Sequence, residues 1–276
     1  MSRQKLFESI CRKQSFLCVG LDTDPKRIPD VLRNEPDPVF AFNKAIIDAT
    51  APFAVAFKPN TAFYEAEGLK GWSSLEKTMA YIKAQYPEIL VIADAKRGDI
   101  GNTSASYARA FFEVMGADAI TVSPYMGFDS VSPFLTYKDK WTILLAATSN
   151  SGSADFQQIA DASGARLYER VVHKATQWAS PDQLMFVVGA TKPSELAGLR
   201  RLVPDYFFLV PGVGAQGGSM PEVVANAVND QCGVLINASR SIIYASSGED
   251  YARAAAGEAK RMQSEMALLL QQYGIC

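Results

Sequence analysis

Eight short apolar runs recur along the chain, most of them rich in β-branched or aromatic residues. They are FLCVGLD (16–22), FAVAFKP (53–59), ILVIADAK (89–96), AITVSPY (119–125), WTILLAATS (141–149), LMFVVGAT (184–191), FFLVPGVG (207–214) and GVLINASRS (233–241). Near-continuous hydrophobicity, in place of strict alternation, suits parallel strands covered on the outside by helices. Helical spacing fills most of the gaps. Leu75, Met79 and Ile82 follow i, i+4, i+7, and Tyr107, Phe111 and Met115 follow i, i+4, i+8. A last segment, from about Tyr251 to Gln272, is built of good helix formers. The connection after the fourth run is short, and residues 149–164 read as a long loop before a helix, a length often tied to function. Eight alternating units predict an α/β fold, a (β/α)8 TIM barrel, with an open doubly wound sheet as the competing arrangement. No linker or composition break divides the chain, so residues 1–276 are expected to form one domain. An apolar stretch at 7–10 predicts a short helical extension packed on the barrel.

Composition narrows the function. The chain is 48% hydrophobic and 20% charged, which is enough to build a sizeable core. Its 27 basic and 29 acidic residues give a net charge of −2, with no basic footprint for nucleic acid. The start, MSRQKLFESI, lacks the apolar core of a signal peptide, and no run is long enough to cross a membrane. Cys11, Cys18, Cys232 and Cys276 form no Cys-x-x-Cys pair, so free thiols in a reducing cytoplasm are expected. The one histidine, His173, falls on a helical segment whose expected buried face is Leu167, Val171, Ala175 and Trp178. Ser-His-Asp or His-zinc chemistry thus has little to work with, and acid–base work falls to Lys, Asp, Glu and Arg.

A barrel of this kind carries its functional groups where the strands end and the loops begin. Asp22 ends the first run, Lys58 the second, and Asp94 and Lys96 the third, within DAKRGDIGNT (94–103). Alternation turns Asp94 and Lys96 to one side if the strand persists, and Asp99 follows three residues later. Lys58–Asp94–Lys96–Asp99 is then an alternating array in which each group keeps its neighbour ionised. A lysine between aspartates stays an ammonium, able to donate a proton and poor as a Schiff-base nucleophile. A structural ion-pair network at the rim is the bland alternative. A second constellation is PGVGAQGG (211–218) with NASRS (237–241). Here the glycines expose backbone N–H groups to an anion, Arg240 adds a bidentate contact and Gln216 a neutral donor. Loops after the seventh and eighth strands are where such barrels commonly hold phosphate. Ser123 offers a hydrogen bond to a ligand, and Thr103 either that or a helix cap.

These residues resemble the orotidine 5′-phosphate decarboxylase family. LCVGLDTD (17–24), FKPNTAFYE (57–65), DAKRGDIGNT (94–103), TVSPYMG (121–127), TSNSGS (148–153), PGVGAQGG (211–218) and ASRSI (238–242) occur in the family's order across nearly the whole chain, with wording like the longer bacterial branch. The resemblance implies conversion of orotidine 5′-phosphate to UMP, the last step of pyrimidine nucleotide synthesis, without metal or cofactor. Lys96 would protonate C6 as carbon dioxide leaves, and Asp94 would lie against the substrate carboxylate. Lys58 and Asp22 would contact the ribose, Ser123 the pyrimidine, and Gln216 and Arg240 the phosphate, with Pro211, Gly217 and Gly218 around it. Asp99 would come from a neighbouring subunit, which implies a homodimer with composite sites. Ile100 would line the apolar pocket beside the departing carboxylate. Many shorter members place glycine directly before the phosphate arginine, where this chain has Ser239. Asp-x-Lys-x-x-Asp is shared with a magnesium-dependent sugar-phosphate decarboxylase. The competing functions are therefore a Mg²⁺-using sugar-phosphate lyase and a non-catalytic nucleotide-binding protein.

Overall fold

The computed structural model describes residues 1–214 and 217–276. Among the described residues, eight parallel strands close into a barrel in sequence order. They are β1 (Leu17–Gly20), β2 (Ala56–Lys58), β3 (Leu90–Arg97), β4 (Ala119–Val122), β5 (Trp141–Ala147), β6 (Leu184–Val188), β7 (Phe207–Pro211) and β8 (Val234–Ala238). Closure comes from β1 against β8, where Leu17 faces Ile236 and Val19 faces Ala238. The strands are short and buried almost throughout, as a sheet covered on both faces requires. Most of the apolar runs outlast their strands by one to three residues. Those extra residues form the loops above the barrel.

The connections carry the outer helices. Gly68–Gln85 buries Leu75, Met79 and Ile82 against the sheet, as their spacing predicts. Gly101–Arg109 continues into a π-turn over Ala110–Val114, which buries Phe111 and leaves Tyr107 and Met115 at the margin. The helix after β4 spans only Phe128–Leu135. The long stretch after β5 contains a 3-10 turn, Ser151–Asp155, before helix Leu167–Ala175. That helix turns a different face inward from the expected one. Tyr168, Val172 and Ala175 are buried, whereas Leu167 is exposed and Val171 and Trp178 are half-buried. Leu167 is the first helical residue, directly after the Arg166 cap, and the larger apolar surface of Tyr168 takes the inward position. His173 is exposed. Among the described residues, no helix is long and apolar enough to cross a membrane.

The N-terminal extension is a full helix, Arg3–Lys13, capped by the Ser2 hydroxyl and ended by Gln14 in a left-handed conformation. It lies beside the C-terminal helix Tyr251–Gln272, whose Gln263 side chain donates to the carbonyls of Lys13 and Gln14. This packing corrects the expectation of four free thiols. Cys11 and Cys276, 265 positions apart, meet with Cα atoms 5.4 Å apart and form a disulfide. Cysteine spacing carries no trace of a pairing that depends on the two ends of the chain sharing one side of the barrel. Cys18 and Cys232 are free and buried.

The disulfide closes nearly the entire chain into a loop, which restricts the unfolded state most. Cys11→Ser should lower unfolding free energy by about 2–4 kcal/mol in non-reducing urea titrations. With reductant present, the wild type and the variant should unfold at the same midpoint.

Candidate active site

A cavity of about 450 Å³ opens where the strands end. On one wall lie Asp22, Lys58, Asp94 and Lys96, the groups that end the first three apolar runs. Lys58, on β2, is buried, and its Nζ lies 2.7 Å from Asp94 Oδ2 and 3.9 Å from Asp22 Oδ1. Lys96 Nζ reaches the other Asp94 oxygen, Oδ1, at 2.6 Å. The chain itself therefore builds Asp22–Lys58–Asp94–Lys96, with Asp22 at the Lys58 end and no Asp99 beyond Lys96. Burial opposes the charge on Asp94, but the two ammoniums outweigh it and hold the carboxyl well below the usual carboxylate range. Burial likewise works against the Lys58 ammonium, and the Asp94 and Asp22 carboxylates overcome it, holding Lys58 above the usual lysine range. Lys96 differs in being half exposed, with its head in the cavity mouth.

Asp94 and Lys96 share a side for a reason other than strand alternation. The β3–β4 register shifts between Ala93 and Arg97, and Lys96 has φ +46°. A non-glycine residue in that region costs about 1–3 kcal/mol and persists only where its surroundings over-determine it. The next residue, Arg97, turns out of the cavity to pair with Glu65.

The opposite wall carries Arg240. Pro211, Gly212 and Val213 after β7 face Ser239, Arg240 and Ser241 after β8. Arg240 is exposed and has no side-chain partner among the described residues, so its guanidinium donors are open to a ligand. Among the described residues, the buried Ser239 Oγ has no hydrogen-bond partner. Ser239 takes the place of a glycine without a positive φ, at φ −119°, and its Cβ fits because β1 offers Gly20. A Cβ on Gly20 would come within 2.7 Å of it. The glycine loop serves differently from its expected role. The N–H groups of Gly214, Gly217 and Gly218 are taken by Gly218, Gly214 and Gly212 carbonyls, and Gly217 and Gly218 lie outside the cavity lining. Gly218 also packs so closely on the loop after β6 that a Cβ there would strike Ala190 Cβ at 2.6 Å. Gln216 lies outside the described residues.

Four other expected residues are not in this wall. Asp99 accepts from the Ile100 N–H and does not pair with Lys96; Ile100 and Thr103 are exposed. All three ride on the loop and helix start after β3, which lead away from the cavity. Ser123 is also outside the lining, close to Gly98 beneath the β3 and β4 loops. Besides Ser239 and Ser241, the cavity draws Ser149, with Thr148 and Asn150, from the loop after β5. Thr148, Ser149 and Asn150 lie in TSNSGS, and Asn60, Thr121 and Asn237 in FKPNTAFYE, TVSPYMG and NASRS, but sequence reasoning assigns none of them a role of its own. The long-loop signal at 149–164 pointed to the right segment. Thr121 opens TVSPYMG but sits inside an apolar run, where nothing marks it as part of the site. No group of three His, Cys, Asp or Glu side chains poised for a metal occurs among the described residues.

A closed parallel barrel with a charged floor and an open arginine beside its last two strand ends defines an enzyme-like site for a small anionic ligand. Comparison with known proteins gives the particular family. Residues 15–255 match the model of the "Orotidine 5'-phosphate decarboxylase / HUMPS family". An orotidine 5′-phosphate decarboxylase of Porphyromonas gingivalis is 60% identical over 275 residues, covering 100% of both chains. One of Bacteroides fragilis is 58% identical over 267 residues, covering 97% of each. Among solved structures, the OMP decarboxylase of Leishmania donovani superposes with a TM-score of 0.80 at 36% identity, covering 96% of this chain and 100% of that one. The chain belongs to the orotidine 5′-phosphate decarboxylase / HUMPS family.

Because the folded value of Asp94 lies below the unfolded one, its ionised form contributes stability above the ordinary aspartate range. That contribution is lost only as pH falls through the lowered value. At about pH 4, where a free aspartate is half protonated, the Asp94 carboxyl carbon should retain the NMR shift of a full carboxylate. A half-titrated signal there would contradict the ion cluster.

Proposed function

We infer that the chain is a carbon–carbon lyase that decarboxylates orotidine 5′-phosphate to UMP, the last step of pyrimidine nucleotide synthesis, with Lys96 supplying the proton. Family membership over nearly the full chain supports the reaction. The Lys58–Asp94–Lys96 cluster in the cavity is the observation that carries the residue roles. Scission of the bond between C6 and its carboxylate leaves the electron pair on C6, where the ring delocalises it poorly. An ammonium there stabilises the developing charge and then transfers a proton to C6. Lys96, half exposed at the mouth and kept cationic by Asp94, has the right charge and freedom; Lys58, buried between two carboxylates, is the fixed charge that holds Asp94 ionised. Asp94 lies against the substrate carboxylate, and Asp22 and Lys58 meet the ribose. Thr148, Ser149 and Asn150 offer polar contacts to the base. Arg240 and Gln216 hold the phosphate, with Pro211 and the glycine loop beside them. The route needs no metal and no cofactor.

The same reading makes the enzyme a homodimer. Asp99, Ile100 and Thr103 face outward, and the neighbouring loops expose Tyr125, Met126, Phe128 and Phe156. So much apolar surface at one rim suits a partner subunit. A second copy would bring its Asp99 to Lys96 and its Ile100 beside the departing carboxylate. The location is cytoplasmic; the Cys11–Cys276 bond would open there, and barrel closure does not use it.

Orotidine 5′-phosphate should lose its ultraviolet signature when mixed with the protein in excess EDTA. Lys96→Ala should fold and lose roughly 10²–10⁴-fold or more in turnover. Near-normal turnover in the variant would remove the proton-donor role, and loss of activity with EDTA would favour the Mg²⁺-using lyase. For the composite site, Lys96→Ala and Asp99→Ala proteins, each inactive alone, should regain activity when mixed and allowed to exchange subunits. No recovery would leave each site within one chain.

A further inference from the structure

We propose that Thr121 is a positioning residue that fixes the proton donor, holding the backbone of Lys96 and the counter-ion of its side chain at once. The inference rests on the reading of Lys96 as the donor. Along β3 and β4, Ala93 pairs with Ile120 and Arg97 with Val122, so Thr121 alone stands opposite Asp94, Ala95 and Lys96. Three residues against one leave β3 short of backbone partners at the place where the site needs its most exact geometry. The Thr121 side chain takes over. It is buried, and its Oγ1 accepts from the Lys96 N–H at 2.9 Å. The same oxygen donates to Asp94 Oδ1 at 3.0 Å. A threonine hydroxyl has one hydrogen and two lone pairs, and an ionised carboxylate only accepts, so both bonds form together without conflict.

The arrangement has a catalytic use. Asp94 Oδ1 is also the oxygen that binds Lys96 Nζ, at 2.6 Å. When that ammonium turns to C6, the oxygen it leaves would otherwise be a buried acceptor without a partner. Thr121 keeps it hydrogen-bonded. The hydroxyl also secures a non-glycine residue with a left-handed backbone, Lys96 at φ +46°, from which the donor side chain departs. Valine has the shape of threonine and can do neither.

The test compares Thr121→Val, Thr121→Ser, Thr121→Ala and Lys96→Ala in kcat, KM, UMP affinity and amide exchange at Lys96. Thr121→Val should lose roughly 10- to 100-fold in kcat, the scale of a misplaced catalytic group. KM and UMP affinity should stay within about threefold, because the binding contacts are remote. Thr121→Ser should restore most of the rate. The Lys96 amide should exchange quickly in the valine protein and slowly in the wild type and the serine protein. Should the valine protein fail to fold, serine against alanine makes the same comparison. Unchanged kcat in the valine protein overturns the proposal, and so does a serine protein as slow as the valine or alanine one, since packing would then explain the loss. Full turnover by Lys96→Ala would instead remove the donor reading, and Lys96 amide exchange would still show whether the hydroxyl holds that backbone.

Discussion

The site depends on one buried ion, the Lys58 ammonium. Taking such a charge out of water costs several kcal/mol unless opposite charges and hydrogen bonds replace the solvent. Asp94 and Asp22 do so here, and Asp94 in turn has an oxygen left over for Lys96. Because Lys58 cannot leave, Asp94 cannot lose its charge. The half-exposed Lys96 is therefore tethered to a fixed anion in the open cavity. The static member of the cluster is deep and the mobile one shallow, which is the order that proton transfer to a bound ligand requires.

The two walls of the cavity divide the work. The first three strands and their loops supply a dense cluster of fixed charge. The last two supply an exposed guanidinium and short polar side chains, suited to gripping an anion at a distance from the charged cluster. Binding energy spent on a remote phosphate can position the base over the charged cluster, and so be used in the transition state. The barrel serves this division directly, since neighbouring strands deliver neighbouring parts of the site.

The fold was legible in the sequence because parallel strands buried on both faces leave continuous apolar runs, and eight of them leave few topologies. Asp22, Lys58, Asp94, Lys96 and Arg240 were legible for the same reason: a charged residue straight after an apolar run stands out. Ser123 and Ser149 show where this stops. Both follow apolar runs, and only the real end of each strand decides which one reaches the cavity. Strand alternation also gave the right side for Lys96 through the wrong geometry, since a register shift cannot be read from one strand alone. Thr121 was hidden because its role depends on three residues of the adjacent strand. The Cys11–Cys276 bond was hidden because it joins the two ends of the chain.

Gly20 and Ser239 sit across the seam where the first strand meets the last, and there is room there for one side chain and not two. The two positions therefore share a single allowance of volume. A chain of this fold that carries glycine at the position of Ser239 is free to place a larger residue at the end of its first strand. One that carries serine, as here, is not. The width of the wall that carries Arg240 is thus set partly from its far side, by a residue outside the cavity lining.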